Sequence, residues 1–167
     1  MDYRIAPIAE ALIPGFHSVV DTVAREKRYL AFLDAPPLEA TTAWVRANVK
    51  HGFPHFVALV EDRVIGWCDI SPIPRPVHAH CGVLGIGLLA QHRRKGIGMA
   101  LMLAALAKAR ERGLTRIELT VRERNTSATA LYESLGFRHE GRKRNAVRVD
   151  GAYENVLSMA ILFDDPV

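Results

Sequence analysis

The 167-residue sequence predicts one α/β (α+β) domain over residues 1–167, built on a mixed sheet. Three observations carry that class. An apolar run at 81–90 passes through Arg93-Arg94-Lys95-Gly96-Ile97-Gly98 into a helical pattern at 99–112, and then into a strand at 116–122. A strand-turn-helix-strand unit of this kind makes its two strands parallel neighbours. Glu61-Asp62-Arg63 and Asp150-Gly151 each separate two strand-like runs, so antiparallel hairpins accompany the parallel unit. A chain of this length with 49% apolar residues buries one ordinary core, and a single domain must hold the whole site.

Residues 3–8 read as a first strand. Residues 9–32 carry helix-spaced apolar side chains, broken or bent near Pro14-Gly15 and stopped by Ala35-Pro36-Pro37. Residues 39–50 form a second helix with Trp44 and Val45 on one face and Gly52 as its stop. Residues 55–61 and 64–70 form the first hairpin, and residues 71–76, with three prolines, form a loop. Residues 81–89 are the central strand, 99–112 a helix ended by Gly113, and 116–122 the next strand. Residues 125–135 form a short helix ended by Gly136, with Phe137 packing back on its last turn. Two strands, 137–149 and 153–163, close the chain without repeat, linker or low-complexity tract.

A net charge of +4 and a pI near 9.3 suit an anionic ligand, but the cations are spread over helices and turns, which argues against nucleic acid as partner. Cys68 and Cys81, the only cysteines, sit in apolar strands and read as buried thiols in a reducing compartment. His51, His55, His78, His80 and His92 match no metal-ligand spacing, so no metal is expected. The start of the chain carries no basic segment before a long apolar one, and no apolar stretch nears the ~18 residues of a membrane span. A soluble, cytoplasmic protein without a membrane partner is expected.

The glycine turn names a ligand class. The first turn of a helix has N–H groups without internal partners and the positive end of the dipole, and glycine admits a phosphate close to the backbone. A dinucleotide fingerprint needs a third glycine where Leu101 stands, and its ribose-binding acid would be Glu118, which lies in mid-strand. A phosphate-binding P-loop needs Gly-Lys-Ser/Thr, and Gly98-Met99 supplies neither cation nor hydroxyl.

Arg93-x-x-Gly96-x-Gly98, the strand at 116–121, and Asn125-x-x-Ala128-x-x-Leu131-Tyr132-x-x-x-Gly136-Phe137 together resemble the GNAT superfamily of acetyl-CoA-dependent N-acetyltransferases, over residues 3–163. The resemblance implies a three-layer GNAT-type fold, a mixed central sheet of about seven strands with splayed parallel central strands and helices on both faces. It implies acetyl-CoA (coenzyme A) as cofactor. Backbone groups near Ile86 and Leu88 would pair with pantetheine amides, and Arg93, Arg94, Lys95, Gly96, Ile97, Gly98 and Met99 would hold the pyrophosphate. Asn125 would hydrogen-bond the cofactor arm and Tyr132 would face the thioester sulfur. The chemistry agrees: attack by an amine builds charge on the carbonyl oxygen and then on sulfur, so a backbone N–H and a phenolic proton donor are what the step needs.

Many relatives place an acid on the central strand, and 81–89 has none. Glu118, His80 or a water chain is left as the base. Arg94 stands where a glycine is common in the family, and ordinary helical or bridge geometry is expected there. Arg142-Lys143-Arg144 reads as a solvated face, with RNA or the cofactor 3′-phosphate as the alternatives. Trp44 reads as core, while Arg28 and Tyr29 are candidates for lining the acceptor site. The stretch from Glu140 to Ala160 is similar to GNAT members that acetylate free amino acids or small amines. A small-molecule primary amine, possibly an amino acid, is therefore the expected partner, acetylated directly in a ternary complex. No cysteine is placed for an acyl-enzyme, since Cys81 lies at the far end of its strand from the turn. A protein N-terminal acetyltransferase of the ribosomal-protein type and a non-catalytic acyl-CoA-binding module are the alternatives, and a homodimer is left open.

Overall fold

The computed structural model describes residues 2–163 and orders them as β1 (Arg4–Pro7), α1 (Ile13–Arg25), α2 (Leu38–His51), β2 (His55–Val60), β3 (Arg63–Pro72), β4 (Cys81–Leu88), α3 (Ile97–Glu111), β5 (Arg116–Arg122), α4 (Thr126–Ser134), β6 (Arg138–Val149) and β7 (Ala152–Leu162). The strands form one seven-stranded sheet in the order β1-β2-β3-β4-β5-β7-β6. All neighbours are antiparallel except β4 and β5, as the strand-turn-helix-strand unit requires. That parallel pairing runs only through Cys81↔Arg116, Gly82↔Ile117 and Val83↔Glu118. Beyond Val83 the two strands part.

Local chemistry explains most boundaries. Glu61 and Asp62 both take positive φ, 47° and 63°, and Asp150-Gly151 does the same at 48° and 81°, which is the turn twist that two-residue hairpins favour. Gly52, at φ 63°, closes α2, and Gly136, at φ 98°, closes α4. The Phe137 N–H then donates to the Tyr132 carbonyl, and the two rings lie 5.9 Å apart. Pro14 stands in the first turn of α1, where its missing N–H costs nothing, so it opens that helix rather than bending it. The helix stops at Arg25, short of the expected 32: Lys27 takes φ 60°, and 26–34 continue as turns and bends. The apolar residues there imitate a helix period but face a cleft. β3 runs on through Ser71 and Pro72 into the expected loop, with Pro72 opposite Gly82 at its last pair.

Two apolar clusters fill the faces of the sheet. Leu101, Met102 and Ala105 of α3 join Cys68, Ile70, Ile117 and Met159 on one side. Phe16, Val20 and Val23 of α1 and Val45 of α2 join Val57, Leu59 and Trp67 on the other. Each large side chain buried this way contributes about 1.5–3 kcal/mol. Among the described residues no helix is long and apolar enough to cross a membrane.

Glycines on β4 admit side chains from β3. A Cβ at Gly87 would overlap the Trp67 ring, and one at Gly85 would lie 3.2 Å from Asp69 Oδ1. Gly87→Ala is expected to destabilise by about 1–3 kcal/mol in denaturant unfolding, because the indole cannot yield without disturbing the cluster beneath α1. Gly141→Ala, whose Cβ would meet open space, is expected to stay within about 0.5 kcal/mol of the parent.

Candidate active site

The parted ends of β4 and β5 leave a cleft with two cavities. The first, about 430 Å³, is lined by Leu88, Arg94, Gly96, Gly98, Met99 and Asn125 among others. The first backbone bond of α3 runs from the Ala100 N–H to the Gly96 carbonyl, 3.1 Å. By helix geometry the N–H groups of Ile97, Gly98 and Met99 have no carbonyl of their own helix, and the dipole adds positive potential there. Gly96 caps the helix at φ 79°, and a Cβ added to it would have no neighbour within 4 Å, so backbone conformation, not crowding, demands glycine.

The side chains of this turn divide unequally. Arg94 takes φ 60°, not the helical or bridge geometry expected, because the chain must reverse from β4 into α3 there; a non-glycine residue bears that strain and points a cation at the cavity. Lys95 Nζ donates to the Gln91 carbonyl at 2.8 Å and is not on the cavity wall. Ile97 is 1% exposed, so its side chain belongs to the core and only its N–H faces outward. Arg93 lines the cavity but its guanidinium is committed: Nη1 and Nη2 donate to Glu26 at 2.9 and 2.6 Å, Nε donates to the Leu88 carbonyl, and the group lies 4.7 Å over the Tyr29 ring. Its charge is met by protein, so Arg93 ties the turn to residues 26–29 instead of offering a free cation.

The second cavity, about 530 Å³, lies toward α1 and α2, and Phe16, Trp44, Trp67, Asp69, Val83 and Gly85 are on its wall. Tyr29, Ile86, Asn125 and Tyr132 line both cavities, so the two meet at these four residues. Asn125 Oδ1 caps α4 by accepting from the Ala128 N–H at 3.2 Å, which leaves its NH₂ as a donor. Tyr132 is 6% exposed, and burial, with Cys68 nearby as the smaller cause, holds its phenol well above the usual range. It stays protonated at neutral pH.

Asp69 is the acid that the sequence reading missed. It is 9% exposed on β3, opposite Gly85 of β4, and receives a hydrogen bond from Trp67 Nε1 at 3.2 Å. Burial pushes its carboxyl up to about 7, against the lowering effect of hydrogen bonds from Trp67 and Ser71. The acid absent from the central strand thus stands one strand away, in the space that Gly85 leaves. The alternation Trp67-x-Asp69-x-Ser71 opposite Gly85-x-Gly87 was the available signal.

Other expected site residues lie elsewhere. His80 is exposed at the start of β4, the end remote from the glycine turn, and its carbonyl accepts from the Thr115 and Arg116 N–H groups. Glu118 faces the α1–α2 side but pairs with Arg116 at 3.0 Å and is not on either cavity wall. Arg28 is exposed and outside both walls, whereas its neighbour Tyr29 is on both. Trp44 is not core: it is 36% exposed, stacked with Phe16 at 6.1 Å, and lines the second cavity. Arg142 pairs with Glu123, and Arg142, Lys143 and Arg144 lie on β6 at the sheet edge, off the first cavity. Cys68 and Cys81 are free and buried, and no cluster of metal-ligating residues occurs among the described residues.

A strap of residues 26–37 roofs the second cavity, with Tyr29, Leu30, Ala31, Phe32 and Pro36 on its wall. Arg122, 6% exposed, donates to the carbonyls of Lys27 and Leu30 at 2.7 Å each. Arg93 grips Glu26, Lys27 pairs with Asp150, and the Ala35 N–H donates to Asp21.

Residues 18–137 match the model of the Acetyltransferase (GNAT) family, and the chain belongs to that family. It is 52% identical over 52 residues to a mycothiol acetyltransferase of Thermobispora bispora, covering 31% of this chain and 18% of that protein. It is 33% identical over 79 residues to the [ribosomal protein bS18]-alanine N-acetyltransferase of Escherichia coli, covering 47% of this chain and 53% of that protein. The matched stretches thus span at most about half of these relatives. Among solved structures, a ribosomal-protein-alanine N-acetyltransferase from Brucella melitensis superposes with a TM-score of 0.88 at 24% identity, covering 95% of this chain and 99% of that one. A phosphinothricin acetyltransferase from Sinorhizobium meliloti, solved in complex with acetyl-CoA, superposes at 0.90 with 20% identity, covering 97% and 89%. At such identities the superpositions establish the fold.

The raised carboxyl of Asp69 has a stability consequence. Its folded-state value lies above the unfolded 3.8, so the folded form holds the proton more firmly, and stability from this group is lost as pH rises from about 4 through about 7. Asp69→Asn, which mimics the protonated carboxyl, is expected to stabilise the fold more at pH 8 than at pH 5, by a difference on the order of 2 kcal/mol, seen as a larger rise in melting temperature at pH 8. Equal shifts at the two pH values in calorimetry would count against a buried, raised Asp69.

Proposed function

We propose that the chain is an acetyl-CoA-dependent N-acetyltransferase that acetylates a primary amine of a small molecule by direct transfer in a ternary complex. The observation that carries this is the junction of the two cavities at Tyr29, Ile86, Asn125 and Tyr132, with helix N–H groups at one end and a buried carboxylate at the other. The first cavity fits the cofactor: the N–H groups of Ile97, Gly98 and Met99 and the cation of Arg94 would hold the pyrophosphate. Backbone groups of Ile86 and Leu88 and the Asn125 NH₂ would hold the arm.

When bound, acetyl-CoA supplies an acetyl group activated as a thioester. Asp69 accepts a proton from the acceptor ammonium and frees the nitrogen lone pair; a carboxyl near 7 is matched to that task at neutral pH. Backbone N–H groups of the opened part of β4 stabilise charge on the carbonyl oxygen. Tyr132 holds a proton at Oη and gives it to the departing thiolate, and the second proton that the nitrogen sheds as the amide forms restores the phenol. Buried, inert Cys68 and Cys81 support direct transfer over an acyl-enzyme. Two free thiols also fit a cytoplasmic setting.

A second reading, acetylation of protein N-termini, is favoured by the name of the Escherichia coli relative. A thiol-release screen of free amines beside short N-terminal peptides separates the two.

Gly96→Trp is expected to abolish acetyl-CoA binding in calorimetry. Tyr132→Phe is expected to bind acetyl-CoA normally and to lower kcat by about 10²-fold or more; normal turnover would remove the phenol from the mechanism. The parent kcat/KM should rise with pH through about 7 and then level, because only ionised Asp69 is a base. Asp69→Asn should lose that limb and about 10²–10⁴-fold in rate.

A further inference from the structure

We infer that the acceptor is an arylalkylamine, a primary amine on an apolar body of aromatic size that carries no carboxylate; this rests on the acetyltransferase reading above. The second cavity, about 530 Å³, is walled by six aromatic side chains: Phe16, Tyr29, Phe32, Trp44, Trp67 and, at its junction with the first cavity, Tyr132. Phe32 and Trp44 are 41% and 36% exposed, so the apolar wall continues to the surface and offers uncovered area to an incoming ring. Among the described residues its only carboxylate is Asp69, and no Lys, Arg or His lines it.

Arg28, on the strap itself, is exposed and on neither cavity wall, and the two guanidiniums that reach the strap from the body of the fold are already engaged. Arg93 is held bidentately by Glu26, and Arg122 is occupied by the Lys27 and Leu30 carbonyls with Glu154 at 3.9 Å. An ammonium group is favoured at Asp69 and along the aromatic faces. A free amino acid carries its carboxylate on the carbon next to the amine. Bringing that amine to Asp69 therefore sets a second carboxylate beside the first, without a counter-cation, in a poorly solvated site. An N-terminal peptide would lay amide groups along the same apolar wall, where few partners answer them.

The test compares 2-phenylethylamine, L-phenylalaninamide and L-phenylalanine, which share a body and differ at one substituent, with a short Ala-terminated peptide. Acetyl transfer is read by thiol release, and amine binding by tryptophan fluorescence in the presence of coenzyme A. The expected kcat/KM for 2-phenylethylamine exceeds that for L-phenylalanine by at least about 100-fold, with the neutral amide nearer the amine than the acid. Trp44→Ala should raise KM for 2-phenylethylamine about 10-fold while KM for acetyl-CoA stays within about twofold. Equal or better use of L-phenylalanine or of the peptide overturns the substrate class and leaves the acetyltransferase reading standing. So does acetyl-CoA binding with neither binding nor acetylation of 2-phenylethylamine. Absence of acetyl-CoA binding in calorimetry overturns both.

Discussion

Pairing between β4 and β5 lasts for three residue pairs, ending at Val83↔Glu118, and everything at the site depends on its stopping there. Two parallel strands that stayed zipped would leave no room for either cavity. Once they part, backbone N–H and C=O groups face a gap, and such groups need partners. The gap is lined instead by Thr120 and Val121 of β5, by Tyr132 of α4, and by β3 side chains leaning across the glycines of β4. An amide-bearing cofactor arm is the kind of ligand that answers exposed strand backbone. The helix N-terminus at the end of β4 offers unpartnered N–H groups that suit the charged part of such a molecule.

Burial acts on both reactive groups in the same direction and assigns them opposite roles. Desolvation disfavours the charged form of a phenol and of a carboxyl alike. For Tyr132 the rise secures the proton at neutral pH, which suits the role of acid proposed for it. For Asp69 the rise stops at about 7, held back by Trp67 and Ser71, which suits the proposed role of a base that gains and loses its proton near neutrality. The price is a carboxyl buried without a cation, an arrangement that costs stability once the group ionises.

Much of the frame was legible because its signals are local. The glycine turn announced a parallel pair, and Asp150-Gly151 and Glu61-Asp62 announced hairpins, each through the backbone conformation that those residues favour. Of the candidate site, the residues announced by a local motif, Gly96, Asn125 and Tyr132, do come together on one cavity wall. The site was not legible where partners are distant. Glu26 lies 67 residues from Arg93, so three adjacent cations gave no hint that one was already paired. Asp69 was hidden because nothing in its own segment sets it apart from Glu118 or His80, while the fold uses glycines on β4 to admit an acid from β3. Trp44 has helical spacing whether it faces a core or a cavity, and only the placement of the strap decides between them.

That strap divides the molecule into parts that can change independently. Its anchors act on Glu26, Lys27, Tyr29, Leu30 and Ala35, through Arg93, Arg122, Asp150 and Asp21, which belong to the body of the fold. Between the anchors Ala31, Phe32, Leu33 and Asp34 are exposed. Evolution, or an engineer, can rewrite those four positions, two of which, Ala31 and Phe32, are on the wall of the second cavity, and so reshape that cavity while the first cavity, Asp69 and Tyr132 stay as they are.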